Sequence, residues 1–214
     1  MRKSNATLVF ASGNPAKLGQ LQYVVAQYGF AVTVMLASDL YGDAGRYDEF
    51  GDTPAEIAAT GAVTVAARIG RPVLTEDSIF AVDALGGRPG LTAGAYLKSH
   101  GRLGILCALQ GQDNRRASIT SAVALAEPGR EPLIWSRTIP GRVALQERWT
   151  PGLPDWIAPS PEASLGGGYN AIFIPADETR TLAEIPPADG LELGYREPLF
   201  YRVLSHFLSG RPVL

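Results

Sequence analysis

Two adjacent carboxylates, Glu76 and Asp77, follow the apolar residues Val73-Leu74 and precede a glycine-rich turn, Leu85-Gly86-Gly87-Arg88-Pro89-Gly90. Hard divalent cations take oxygen ligands, and magnesium is usually held by one or two carboxylates together with substrate phosphates. The pair therefore points to a metal and a phosphate ester. A second stretch points the same way: the apolar run Ala6 to Ala11 leads into Ser12-Gly13-Asn14-Pro15-Ala16-Lys17 and then into helical spacing. A loop between strand and helix aims backbone N–H groups at one point. The helix dipole adds partial positive charge there, so an anion is stabilised. Lys17, one turn inside, could reach it. The stretch lacks the phosphate-loop and dinucleotide fingerprints, so an ordinary capped helix start is its alternative reading. The same absence weighs against a Rossmann oxidoreductase.

Neighbouring side chains of a strand face opposite ways, so only one of Glu76 and Asp77 faces a cleft unless the strand has ended. Asp77 is the first choice for the metal, with Glu76 supporting it or activating water. Asp48-Glu49-Phe50-Gly51-Asp52 offers a further oxygen ligand, from Asp48 or Glu49. Each acidic stretch taken singly also reads as a solvated turn. Neither His100 nor His206 lies in a catalytic setting, and the sequence identifies no base for Ser78 or Cys107, which leaves water as the expected attacking group.

The elements that must position these residues follow from spacing. Asn14 and Pro15 start a helix, with Leu18, Leu21, Val25 and Tyr28 at helical intervals, and Ala31 to Leu36 reads as a second strand. A β-α-β unit results. After a polar loop over 38–52, Thr53-Pro54-Ala55-Glu56 opens a helix to about Ile69 with a capping box. Short strands are expected at Arg71 to Leu74 and Ile79 to Val82, on either side of the acidic corner. A helix is expected at Arg102 to Gln110, and a hairpin from Ala117 to Leu125 and Leu133 to Thr138. Tyr169 to Ile174 reads as a strand and Pro198 to Ser209 as the last helix, with Leu199, Val203, Leu204, Phe207 and Leu208 on its buried side. The Pro-, Gly- and Ser-rich stretch 150–168 is longer than an ordinary connection, and such loops are functional or mobile.

Of the 214 residues, 46% are hydrophobic, enough for one globular domain or two closely packed lobes. A formal net charge of −2 gives no basic face for a nucleic-acid polymer. No membrane span is expected, and the single cysteine, Cys107, excludes an intrachain disulfide and reads as a core residue of a cytoplasmic protein.

Taken together, these stretches resemble the inosine/xanthosine triphosphate pyrophosphatase family, which hydrolyses deaminated purine nucleoside triphosphates to monophosphate and pyrophosphate. The resemblance spans nearly the whole chain. It rests on Ser12 to Lys17, Glu49 with Gly51 and Glu56, Glu76-Asp77-Ser78, the run Asp83 to Gly90, and Gly168-Tyr169-Asn170-Ala171-Ile172-Phe173. It implies a single α/β domain over residues 1–214, elongated and two-lobed around a cleft, with a central twisted mixed sheet and flanking helices, usually a homodimer. Carried across, Ser12, Gly13, Asn14 and Lys17 would hold the triphosphate of a nucleoside triphosphate substrate. Glu49 and Asp77 would bind Mg2+, Asp77 with Glu76 would orient or deprotonate the attacking water, and Ser78 would line the substrate site.

The departures cluster in the C-terminal half. Where the family has Phe-Gly-Tyr-Asp this chain has Gly167-Gly168-Tyr169-Asn170, and its Ser-His-Arg is Gly194-Tyr195-Arg196. A lysine six residues before that arginine is Gly190, and a basic residue of the second helix falls near Thr60 and Gly61. Losing donors that read a buried carbonyl weakens discrimination. The resemblance therefore implies retained chemistry with a remodelled base pocket formed by Gly168, Tyr169, Asn170, Tyr195 and Arg196. The alternative is a non-catalytic nucleotide-binding or regulatory protein on the same scaffold.

Overall fold

The computed structural model describes residues 6–209. Its order is β1 (Ala6–Phe10), α1 (Pro15–Gln27), β2 (Val32–Leu36), α2 (Ala37–Tyr41), α3 (Pro54–Ile69), β3 (Val73–Val82), β4 (Pro89–Gly90), α4 (Ala93–Ala108), β5 (Arg116–Ala126), β6 (Leu133–Val143), β7 (Phe173–Pro175), α5 (Gly190–Leu193) and α6 (Glu197–Ser209). The strands form one seven-stranded sheet in the order β2-β1-β3-β5-β6-β7, with β4 paired to β3. β1 runs parallel to β2 and β3, whereas β3 with β4 and β6 with β7 are antiparallel. This is the mixed α/β sheet that the pattern of strands and helices implies. No helix among the described residues is long and apolar enough to cross a membrane.

The chain divides into two compact units. The first holds the described residues through Asp77, with 121–137 and those from Arg196 onward. Within it β1 is buried on both faces, because successive side chains alternate. Leu8 and Phe10 join Leu74 of β3, Leu21 and Val24 of α1, and Leu199, Phe200, Val203 and Leu204 of α6. Phe10 meets Phe200 edge to face at 6.2 Å. Val9 and Ala11 pack the other way, with Val73 and with Ala58, Ala62, Val65 and Ala66 of α3. Those small residues bring α3 close to the sheet, where the Thr75 hydroxyl donates to the Ala58 carbonyl at 2.6 Å. α3 begins as its sequence implies: Thr53 Oγ1 accepts from Glu56 N at 3.2 Å. The Glu56 carboxylate accepts from the Asp52 N–H, one residue earlier than an ideal capping box would have it.

The second unit comprises 78–120 and 138–195. Its core gathers Phe80, Val82, Ile105, Leu109, Tyr169 and Phe173 among others. Phe80 stacks on Tyr169 at 4.4 Å and meets Phe173 edge-on at 6.0 Å. The Pro/Gly/Ser-rich segment is packed. The Pro154 carbonyl accepts from Ile157 and Ala158, Gly167 N donates to the Asp155 carbonyl, and Ile157 and Ala158 bury against Ala171 and Ala183 with Leu153 and Trp156.

Several local expectations are corrected. β3 is one ten-residue strand, so the chain does not turn at Glu76; pairing of Phe80 with Gly90 and Ala81 with Pro89 keeps it extended. The stretch 38–52 contains most of α2 and a 3-10 turn over Gly42–Gly45. α4 starts at Ala93, well before Arg102, and passes through Gly101 at φ 62° and ψ −172°, a kink that glycine admits without a Cβ penalty. Tyr169 to Ile172 form turns, with Ile172 N and Phe173 N both donating to the Tyr169 carbonyl; only Phe173–Pro175 is strand. Cys107 is exposed: Ile105 and Leu109, at i and i+4, take the buried side of α4, which turns Cys107 outward. Leu208 lies on the exposed side of α6.

The close approach of β6 and β7 at Gly141 tests the sheet geometry. A Cβ on Gly141 of β6 would lie 2.2 Å from the Ile174 carbonyl oxygen of β7. Gly141→Ala is expected to destabilise by about 1–3 kcal/mol, read as a lower urea midpoint with unchanged slope. A midpoint equal to that of the wild type would show that the two strands separate freely.

Candidate active site

Because β3 continues through the acidic pair, its period of two separates the two carboxylates. Leu74 and Glu76 lie on the face toward α1 and α6; Val73, Thr75 and Asp77 lie on the face toward α3.

Glu76 is buried, with 1% of its surface exposed. Its Oε1 accepts from Ser121 Oγ at 2.6 Å and from Arg196 Nε at 3.0 Å. Its Oε2 lies 2.9 Å from Lys17 Nζ, which also donates to the Glu76 carbonyl at 2.9 Å. Burial pushes the Glu76 carboxyl upward, but the charges of Arg196 and Lys17 and the Ser121 hydrogen bond outweigh it and hold its pKa at about 2. Two cations around one carboxylate leave an excess positive charge beside the Ser12 turn. Arg196 is steadied further: Gln20 Oε1 accepts from its Nη1 at 3.4 Å, while Gln20 Nε2 donates to Glu197 Oε1 at 2.6 Å. Burial pushes the Glu197 carboxyl up despite its hydrogen bonds and the Arg196 charge. Its Oε2 has no hydrogen-bond partner among the described residues.

The N-terminal turn is shaped by its own side chains. Asn14 Oδ1 accepts from Ala16 N at 2.9 Å, the Asn14 carbonyl accepts from Lys17 N and Leu18 N, and Ser12 Oγ accepts from Asn14 N at 3.1 Å. Asn14 thus takes up the first free N–H groups of α1, leaving the helix dipole, the Ser12 hydroxyl and the Lys17–Arg196 charge to meet an anion. A Cβ on Gly13 would meet nothing within 4 Å, so the turn is open on that side.

On the other face, burial first, and then the charges of Glu49, Asp77 and Glu76, raise the Tyr47 phenol above its ordinary pKa. Tyr47 therefore stays protonated amid three carboxylates. Its ring covers α3 at Gly61, where a Cβ would lie 2.4 Å from the Tyr47 Cε2. The ring occupies the place near Thr60 and Gly61 where the resemblance implies a basic side chain. Among the described residues no three His, Cys, Asp or Glu side chains form a set able to hold a metal alone. Glu49, which is exposed, and the half-buried Asp77 instead suit a magnesium-like ion that takes its other ligands from water and phosphate.

The residues assigned to the base fall in the second unit, apart from Arg196. Tyr169 is buried and its hydroxyl donates to the Ala93 carbonyl at 2.9 Å. Asn170 Nδ2 donates to the Ile157 carbonyl at 3.1 Å, Tyr195 is buried, and Ser78 and Gly168 are half-buried.

The Ham1 family model matches residues 8–197. The chain belongs to the Ham1 family. Among its relatives, the dITP/XTP pyrophosphatase of Methanopyrus kandleri is 34% identical over 190 residues, covering 88% of this chain and 89% of that protein. The dITP/XTP pyrophosphatase of an Exiguobacterium species is 33% identical, covering 83% and 85% respectively. The solved structure of a HAM1 protein from Coxiella burnetii superposes with a TM-score of 0.73 at 25% identity, covering 96% of this chain and 100% of that one.

Sequence reasoning missed Tyr47, Gln20, Ser121 and Glu197. Gln20 carried a faint signal, lying three residues after Lys17 on the same face of α1. Ser121 gave none, as its partner Glu76 is 45 residues away.

Removing the Glu76 charge tests the cluster. Glu76→Gln leaves Lys17 and Arg196 facing each other without compensation and should cost about 3–5 kcal/mol. The folded-state pKa lies below the ordinary 4.5. The Glu76 contribution is therefore complete above pH 4.5 and fades as pH falls toward about 2. The stability gap between wild type and variant in urea titrations should narrow across that window. A gap constant down to pH 2 would contradict the assignment.

Proposed function

We propose that this protein hydrolyses a nucleoside triphosphate to the monophosphate and pyrophosphate, with water attacking the α-phosphorus. The single observation that carries this reading is the 2.9 Å contact of Lys17 Nζ with Glu76. It joins the turn after β1, proposed to accept an anion, to Glu76 of β3, the residue next to Asp77 in the chain, within one unit. The names of the Methanopyrus and Exiguobacterium relatives support the reaction class.

Each residue then takes a role suited to its surroundings. Ser12, Gly13 and Asn14 receive phosphate oxygens at the open turn, with the α1 dipole behind them. Lys17 and Arg196, held in place by Glu76, supply the positive charge that offsets a polyphosphate. Glu76, with its depressed pKa, is a weak base and acts by positioning these cations. Asp77, on the opposite face, orients the water and accepts its proton. A divalent cation such as Mg2+, held by Glu49 and Asp77 with phosphate oxygens, would neutralise phosphate charge and lower the pKa of the water. Tyr47 remains a neutral hydroxyl donor at this face.

The base preferred by this chain is proposed to differ from that of its relatives. Tyr169 and Asn170 commit polar atoms to the Ala93 and Ile157 carbonyls, and Tyr47 fills the space beside Gly61. Groups already paired with their own backbone discriminate poorly between substrates.

Pyrophosphate release measured over a panel of canonical and deaminated ribo- and deoxynucleoside triphosphates should reveal turnover that chelation abolishes and magnesium restores. Asp77→Asn should lower kcat by at least about a hundred-fold with circular dichroism unchanged. Saturable binding without turnover on any nucleotide would reject hydrolysis in favour of a binding protein.

A further inference from the structure

The second unit contains a cavity of about 840 Å³ that shares no residue with the candidate active site. One wall is α4 at Gly101, Arg102 and Leu103, and the other is the packed segment from Trp149 to Leu165. Its volume is that of a small-molecule site. The wall is also held in shape. Arg102, 4% exposed, donates to the Ser164 carbonyl at 2.6 Å, to the Gly168 carbonyl at 2.8 Å and to the Gly166 carbonyl at 3.4 Å, and its Nε pairs with Glu147 at 2.8 Å. A buried guanidinium thus fixes the returning limb of the segment. The outer limb is fixed by a tight turn in which Ser160 and Ala163 exchange backbone hydrogen bonds of 3.1 and 3.2 Å, with Pro161 and Glu162 at the tip.

The chemistry of the lining selects its occupant. Leu103, Trp149 and Leu165 present apolar surface that stays solvent-exposed, and Leu153 and three prolines extend it. The charged lining residues are Arg102, Glu147 and Glu162. Arg102 and Glu147 cancel each other through the Nε contact, and Nη1 and Nη2 of Arg102 donate to backbone carbonyls. One negative charge, on Glu162, remains. A phosphate-bearing or carboxylate ligand finds no free cation and is repelled. An organic cation with a flat apolar body finds a carboxylate, the Trp149 side chain and apolar walls.

We propose that this cavity binds an apolar aromatic amine, its ring between Leu103, Trp149 and Leu165 and its ammonium toward Glu162.

Calorimetric titration of the full-length protein with tryptamine, alongside indole-3-acetate as the anionic counterpart, tests this. Tryptamine is expected to bind with a Kd on the order of 10⁻⁴ to 10⁻³ M, and indole-3-acetate roughly ten-fold more weakly. Glu162→Gln should remove most of that preference. Ser164→Trp, which fills the cavity, should abolish tryptamine binding with circular dichroism unchanged. Should that variant misfold, Leu103→Ser on the exposed side of α4 should weaken binding several-fold. Absence of binding up to several millimolar overturns the proposal. So does equal affinity for the two indoles, or affinity unmoved by Glu162→Gln. A dimer in sedimentation that buries Trp149 and excludes tryptamine would assign the surface to a second copy instead.

Discussion

A carboxylate with almost no water around it must be charge-compensated or protonated, and in this protein Glu76 is compensated twice over. Arg196 and Lys17 approach its two oxygens, and Ser121 donates to the same oxygen as Arg196. The cost of burying the charge falls on whichever partner is removed, so four segments distant in sequence must arrive together. These are the first turn of α1, the middle of β3, the middle of β5 and the entry to α6. Gln20 and Glu197 extend the requirement to a second shared contact between α1 and α6. The arrangement is over-determined around Glu76, and its by-product is an excess of positive charge next to an open turn.

The separation of Glu76 from Asp77 depends on a simpler rule. An extended strand sends consecutive side chains to opposite faces, and β3 remains extended because its far half pairs with β4. One carboxylate is thereby buried among cations while its neighbour faces Tyr47 and Glu49 on the α3 side. Two residues of one chemical type acquire contrasting properties from their surroundings, as expected when burial and neighbouring charge set the pKa. In the proposed reaction this becomes a division of labour, with a charge-holding glutamate and a water-orienting aspartate.

The differences from the family pattern also have physical counterparts. At Gly61 the absent basic side chain coincides with the Tyr47 ring lying against the helix. At Tyr169 and Asn170 the polar groups are tied to backbone carbonyls, and Tyr169 contributes its ring to the core by stacking on Phe80. Packing has claimed these positions, whereas Lys17, Glu76 and Arg196 form a charged cluster.

The sequence by itself determined the α/β class, the start of α1 at Asn14-Pro15 and the capping of α3 at Thr53. These are local properties: caps, turns and periodicities are written within a few residues of where they act. It misplaced the end of β3, the start of α4 and the outward face of Cys107, because strand pairing and helix packing override local preference. Only the tertiary structure decided that Glu76 meets Arg196 across 120 residues and Glu197 meets Gln20 across 177. Such contacts are fixed by which faces of the sheet α1 and α6 cover, and no short-range pattern records that choice.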